Sequence, residues 1–388
     1  NPYAIFVILF YRVNGSKKLG ASKSVMKKIR VLHFVTGGFS GATSVAVDII
    51  TGHQAYSDIE SLLVLRQKKT TTSEKLASLE KKGINYQLVI NSPHFATSKQ
   101  LQQIIKEWQP DILVAHGFPE HIIGRAAGKK ANVPHMVQVE HNSKERYTFI
   151  KLWQTRHLSQ FTDSVVAVSK GVAQVLNKQQ LKAPIIAIPN GIDPARFDNQ
   201  PLPIQSRPDD IIMVARFTKS KDHATLIEAL NLLKQKNITP TLTLVGSGKT
   251  SYQNLADKLV KKYGLSEQVT LINHSNEIPQ LLERHKIFVM SSRFEGLNLS
   301  VIEAMAAGCL VIGSDAVGVN ELIEHKKDGL VFSIGDAQTL ANQLESVLTN
   351  PLNFETMTIK ARQKALCYYT KSRMLKDYYD VFTEIMNR

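Results

Sequence analysis

The chain has 388 residues, more than one hydrophobic core usually fills, so two domains are expected. Its 43% hydrophobic and 21% charged residues exclude wholesale disorder; its two cysteines, Cys309 and Cys367, exclude a disulfide framework and argue against a zinc site. The net charge of +15 is uneven: residues 1–200 hold 26 Lys and Arg against 13 Asp and Glu, whereas residues 201–388 hold 22 against 20. A basic first half is either a plain solvated surface or a face for an anionic partner such as a membrane, a phosphorylated acceptor or nucleic acid.

Residues 1–25 precede a natural-looking first strand that begins after Met26. The apolar run Tyr3–Tyr11 has about half the length that spans a bilayer, and it lacks a basic leader and a clear cleavage site. The reading is an extension that is not native to the chain, or is wrongly assigned to it, with a short membrane-contacting segment as the rival. No other stretch is long and apolar enough to span.

From Ile29 onward, short apolar runs alternate with helical periodicity. Strands are expected at Ile29–Thr36, Ile59–Leu65, Tyr86–Ile90, Ile112–His116, His135–Glu140, Ser164–Val168 and Ile185–Ile188. Helices such as Ala42–His53, Ser98–Glu107 and Lys170–Leu176 lie between them. Runs apolar on both faces suit parallel strands covered by helices, hence an α/β architecture. After the first strand, "TGGFSGATSVAVDI" (36–49) places Gly37, Gly38 and Gly41 where a turn opens a helix. It suits either an anion-binding helix start or a plain structural turn.

Residues 193–210 hold four prolines and little periodicity and read as a linker. The alternation then restarts with strands at Ile211–Val214, Thr241–Val245, Val269–Ile272, Ile287–Met290 and Leu310–Gly313. Helices are expected at Ala224–Lys234, Tyr252–Tyr263, Ile278–Glu283 and Leu299–Ala307, and Pro351–Arg388 is helical in character. Two successive doubly wound units follow from this rhythm. "LVGSGKTS" (244–251) fails as a P-loop and as a dinucleotide fingerprint and reads as a strand-to-helix turn. In "MVARFTKSKDHATLIEAL" (213–230), Arg216 and Lys221 follow a strand and precede a helix. The crevice outside strand carboxyl ends is where ligands bind in such sheets, and a guanidinium fork beside an ammonium suits two adjacent phosphates. Two solvated loop cations are the alternative.

"FEGLNLSVIEAMAAG" (294–308) sets Glu295 and Glu303 eight positions apart in an apolar stretch. A loop carboxylate and a first-turn carboxylate suit the vicinal hydroxyls of a sugar beside a diphosphate. A solvated Glu295 with a dipole-favoured Glu303 is the alternative.

The segment "RFEGLNLSVIEAMAAGCLVIGSDAVGVNELI" resembles the E-x(7)-E region of family 4 retaining glycosyltransferases. "VVAVSKGVAQVL", "IAIPNGIDPARF" and "ARFTKSKDHATLIEAL" precede it in the family's order. The resemblance runs from about Ile29 to about Phe332 and is looser in the first half. It implies a GT-B fold: two Rossmann-like doubly wound domains, an inter-domain cleft and a C-terminal crossover helix. On this reading residues 26–200 form an acceptor-binding domain, 201–365 a nucleotide-sugar-binding domain, and 366–388 a helix returning to the first domain.

The resemblance assigns Arg216 and Lys221 to the donor diphosphate, Glu295 to the donor hexose near its reacting carbon and Glu303 to the ribose hydroxyls. His141, in "VQVEHNS", matches the family's histidine near the donor sugar and completes the catalytic set with Arg216, Lys221 and Glu295. On its own residues His141 reads as an ordinary polar or packed histidine. Gly296 and the amides of Leu297, Asn298 and Leu299 would approach the hexose and phosphate, and Gly37 and Gly38 would close over the diphosphate. Asn273 and His274 match only weakly the region that reads the base. The family often has Pro or Ser at position 298 and Gly at position 319, where this chain has Asn and Val.

The implied activity is transfer of a hexose or N-acetylhexosamine, with retention, from a nucleotide-diphosphate sugar, UDP by family habit. The acceptor would be a glycan or lipid-linked glycan in surface polysaccharide, glycolipid or wall-glycan synthesis. No Asp-x-Asp pair occurs, so no metal and no cofactor are expected. A cytoplasmic protein is implied, with peripheral contact to an anionic membrane through its basic first half. An epimerase or phosphorylase on the same fold stands as the other enzymatic reading. A basic nucleic-acid binder is the distant one, and no aromatic-interleaved basic motif supports it.

Overall fold

The structure, a computed structural model, describes residues 28–39, 41–144 and 147–388. The reading of residues 1–25 lies outside the described residues.

The first half alternates β1 (Ile29–Thr36), α1 (Gly41–His53), β2 (Ile59–Arg66), α2 (Ser73–Lys81), β3 (Tyr86–Val89), α3 (His94–Trp108), β4 (Ile112–His116), α4 (Glu120–Lys130), β5 (His135–Glu140), α5 (Phe149–Leu158), β6 (Ser164–Ala167), α6 (Lys170–Asn177) and β7 (Ile185–Ala187). These strands form one parallel sheet in the order β3-β2-β1-β4-β5-β6-β7. β4 and β6 are buried at every position, which is why they read as unbroken apolar runs.

The second half runs β8 (Asp210–Val214), α7 (His223–Gln235), β9 (Thr241–Val245), α8 (Thr250–Lys262), β10 (Val269–Ile272), α9 (Ile278–Arg284), β11 (Ile287–Met290), α10 (Leu299–Ala306), β12 (Leu310–Ser314), β13 (Leu330–Phe332), α11 (Ala337–Thr349), α12 (Glu355–Tyr368) and α13 (Lys371–Met386). Its sheet is also parallel, in the order β10-β9-β8-β11-β12-β13. Both sheets reverse direction of winding at one place, between β1 and β4 and between β8 and β11. The carboxyl ends of those four strands mark where a crevice opens in each unit.

Residues 193–210 are a connection, but not a loose one. Phe197, Ile204 and Arg207 are buried. Arg207 Nη1 donates to His285 O (3.0 Å) and Nη2 to Ala307 O (2.9 Å), while Arg362 Nη2 donates to Phe197 O (2.8 Å). Prolines removed the periodicity that sequence patterns depend on, yet single anchoring side chains hold the strap down.

The final helix crosses back to the first half. Lys371 Nζ pairs with Asp48 (2.8 Å), Tyr379 Oη donates to Asp58 (2.7 Å), and the Tyr56 and Tyr379 rings stack at 4.4 Å. A Cβ on Gly52 would meet a Leu375 methyl at 2.2 Å, so a side chain there would displace Leu375 where α1 and α13 approach closely.

Candidate active site

A cavity of about 440 Å³ lies between the two sheets. Thr36 and His116, at the carboxyl ends of β1 and β4, form one wall, with His141 and Asn142 after β5. Val214 at the end of β8, Arg216, Ser220 and Lys221 in the loop after it, residues 294–298 between β11 and α10, and Leu299 and Ser300 at the start of α10 form the other. Both crevices predicted by the winding reversals open into this one space.

The cations are placed differently. Arg216 is exposed on the wall. Lys221 is mostly buried, and its Nζ lies 2.6 Å from Glu295 Oε1. Ser292 Oγ donates to the same carboxylate oxygen (2.5 Å). Ser314 Oγ in turn donates to Ser292 O (2.5 Å), and Ser291 Oγ donates to Asp222 O (2.9 Å). A buried serine network thus holds the loop after β11 against the loop after β8. The pair of charges is screened little at that depth.

Asn298 caps α10: its Oδ1 accepts from Val301 N (3.2 Å). Leu297, Leu299 and Ser300 line the cavity beside it, so the positive end of the helix faces the space. The Asn298 amide itself donates to Gly318 O (3.3 Å), so one of the three backbone amides expected to meet a ligand is engaged by the loop after β12. Gly296 approaches the opposite wall so closely that a Cβ would stand 2.0 Å from His141 O.

His141 ends a chain of three imidazoles. Its Nε2 is 3.2 Å from His116 Nδ1, and His116 Nε2 is 3.0 Å from His33 Nδ1. The rings are stacked in succession at 5.4 and 5.3 Å between centroids. Desolvation holds all three neutral: His33 is lowered to about 3, His141 to about 4, and His116 lies well below the ordinary value. His33 Nε2 is buried with no hydrogen-bond partner among the described residues. A buried unpaired N–H costs more than an unpaired ring lone pair, so the protons sit on the Nδ1 atoms. The chain then points from His33 toward the cavity, with the His141 proton on Nδ1.

Beneath the same wall, Arg66 Nη2 pairs with Glu120 Oε1 at 2.7 Å, with both side chains almost fully buried.

The structure therefore brings together Arg216, Lys221, Glu295, His141, Gly296, Leu297, Asn298 and Leu299. It does not bring Gly37, Gly38, Asn273, His274 or Glu303 onto that wall. Gly37 and Gly38 turn after β1, where the Gly37 amide donates to Arg66 O (2.8 Å). Asn273 and His274 follow β10, and Asn273 Oδ1 accepts from Gln253 (2.9 Å). Glu303 faces Arg196, at 2.9 Å, instead of sharing a pocket with Glu295. Burial raises its pKa and the Arg196 charge opposes that rise. The reason is helical geometry: position 303 falls on the side of α10 that meets residues 193–198, not on its opening amides.

Sequence reasoning missed Thr36, His116, Glu120, Asn142 and Asn190 as cavity residues. A polar residue closing an apolar strand, as His116 does, was the available signal. Among the described residues, no group of three or more His, Cys, Asp or Glu side chains is arranged to hold a metal ion. No helix among them is long and apolar enough to cross a membrane.

Two family models match in succession: "Glycosyltransferase Family 4" over residues 87–196 and "Glycosyl transferases group 1" over 195–365. The UDP-Gal:alpha-D-GlcNAc-diphosphoundecaprenol alpha-1,3-galactosyltransferase of Escherichia coli is 23% identical over 305 residues, covering 74% of this chain and 78% of its own. The amylovoran biosynthesis glycosyltransferase AmsK of Erwinia amylovora is 31% identical over 182 residues, 45% of this chain and 44% of its own. Among solved structures, Anabaena HepE in complex with UDP and glucose superposes with a TM-score of 0.79 at 20% identity, covering 92% of this chain and 100% of that one.

Proposed function

The chain belongs to the family 4 glycosyltransferases of GT-B fold, and from that premise we propose that it moves a hexose or N-acetylhexosamine, with retention, from a UDP-sugar to a glycan or lipid-linked acceptor in surface polysaccharide synthesis. The observation that carries this reading is the convergence of Arg216, Lys221, Glu295, His141 and the capped start of α10 on one inter-domain cavity. The donor class is supported by the named substrate of the E. coli relative and by the ligands of HepE. The polysaccharide setting is supported by the name of the amylovoran relative.

In this reading the donor diphosphate lies between Arg216 and Lys221 at the positive end of α10. As the bond from the anomeric carbon to the diphosphate oxygen breaks, negative charge grows on that oxygen. Lys221, held by Glu295, and the helix end stabilise it in place, and the exposed Arg216 adds its charge. Glu295, already oriented by Ser292, accepts hydrogen bonds from sugar hydroxyls. The His141 Nδ1–H donates toward the sugar. The acceptor hydroxyl attacks from the face the leaving group departs, giving its proton to a diphosphate oxygen. Glu303 binds the ribose hydroxyls only if Arg196 shares it, since the two are paired. No metal is required, and the protein works at the cytoplasmic face of an anionic membrane.

The test is incubation of the full chain with radiolabelled UDP-hexoses and lipid-linked acceptors, with EDTA present. Transfer giving an α-linked product from an α-linked donor is expected. An inverted product, or a strict need for divalent metal, overturns the mechanism.

A further inference from the structure

The five large hydrophobic side chains most exposed in residues 28–200 are not scattered. They are Phe95 (77% exposed) at the start of α3, then Phe149 (85%), Ile150 (65%), Trp153 (59%) and Phe161 (41%) on and just after α5. Phe149, Trp153, His157 and Phe161 recur every four residues and form one outward ladder. Trp153 stacks on His157 at 5.7 Å, His157 meets the Phe161 edge at 5.6 Å, and Lys129 Nζ sits 3.6 Å over the Phe161 ring. The charge of Lys151, after desolvation and the Arg66 charge, lowers the pKa of His94, the neighbour of Phe95 at the start of α3. Lys129, whose Nζ also lies 3.3 Å from His157 Nε2, and Lys151 on the first turn of α5 flank the ladder. Neither α5 nor the first twelve residues of α3 carry a carboxylate.

We propose that this face, α5 with the start of α3, docks on an anionic lipid bilayer. Exposed Trp and Phe flanked by Lys, with no acid between them, match the two demands of a bilayer surface: rings that enter the headgroup region and cations that meet anionic lipid. A second copy of the chain fits worse, because a two-fold contact would set the same cations against each other. The face also leads to the cleft. His141 lines the cavity, and only residues 142–148 separate it from α5, whose first turn is capped by Thr148. Docking there sets the cavity mouth beside the headgroups, where a lipid-linked acceptor presents its sugar. The inference deepens the membrane element of the proposed function and rests on it for its purpose, not for its geometry.

The experiment uses the full chain and vesicles of phosphatidylglycerol and phosphatidylcholine, some carrying brominated acyl chains. Wild-type protein sediments with anionic vesicles, and bromine quenches its tryptophan emission. Trp153→Phe abolishes most of the quenching, because the other tryptophan, Trp108, is half-buried under Arg30. Phe149→Ser with Ile150→Ser weakens vesicle binding by roughly tenfold or more. These side chains are exposed, so the fold is not at stake, and an unchanged thermal shift with UDP reports the donor site separately. No wild-type binding, binding indifferent to anionic lipid, variants that bind as wild type does, or a dimer dissolved by the serine variant each overturn the proposal. A protein that binds vesicles but transfers no sugar would overturn the enzymatic reading and leave this one standing.

Discussion

Lys221 and Glu120 both face the cavity wall, yet their loss removes different things. Lys221 is tied to Glu295, whose carboxylate keeps Ser292 as a second partner, so the fold tolerates the change. Lys221→Ala should lower kcat by about 10²–10³-fold with little change in unfolding midpoint, because it withdraws charge from the leaving diphosphate. Steady-state kinetics at saturating donor read this; a normal kcat in the folded variant would remove Lys221 from the mechanism. Glu120→Ala instead strands a buried guanidinium and should cost about 3–5 kcal/mol in urea unfolding, since a buried charge loses its counter-ion. The first residue was legible in the sequence and the second was not. Lys221, Arg216 and Glu295 each sit a few positions past a strand end, where ligands gather by rule. Glu120 and Arg66 are 54 positions apart, and no local pattern joins them.

At the level of elements, the two halves are joined by the packing of α13 on the first half and, across the cleft, by a helix cap. Glu321, from the loop after β12, accepts from the amides of Lys170 (2.9 Å) and Gly171 (2.7 Å) at the start of α6 in the other half. It supplies the first-turn acceptor that a helix start lacks. Glu321→Ala leaves both amides without that acceptor. The expected result is a higher KM for donor with a larger radius of gyration in small-angle scattering; an unchanged radius would mean the cap does not hold the cleft closed. Gly296 does the complementary work, since any side chain there meets His141 O. Ile287–Met290 was readable to the residue because burial on both faces leaves an unbroken apolar run, and Thr241–Val245 because its Thr and apolar residues alternate. The three-residue β13 was not, being too short to show a period. α2, in which only Leu79 is buried, offers almost no apolar stripe to find. The cap by Glu321 joins residues 151 positions apart and leaves no trace in local pattern.

For the whole molecule, the place where the halves meet is unusually rich in buried neutral histidine. His33, His116 and His141 run across β1, β4 and the end of β5, and Phe382 of the returning α13 packs its edge on His33 at 6.1 Å between centroids. His223, stacked on Phe217 at 4.2 Å, is lowered to about 4 by burial, and His121 lies well below its ordinary value for the same reason. In the unfolded chain each titrates near its ordinary value of about 6.5. Between that value and the folded ones, the unfolded state binds more protons than the native state. Stability therefore rises with pH through this window and is lost as pH falls below about 6.5. Each such histidine adds a slope of about 1.4 kcal/mol per pH unit until its folded pKa is reached. Urea unfolding at pH 7.5, 6.5 and 5.5 should show a steep loss well above the range where carboxylates protonate. His223→Asn, outside the three-ring chain, should flatten that dependence by about one proton's worth. A stability constant down to pH 5 would mean that the imidazoles charge freely in the native state, and the neutral chain ending at His141 would not exist.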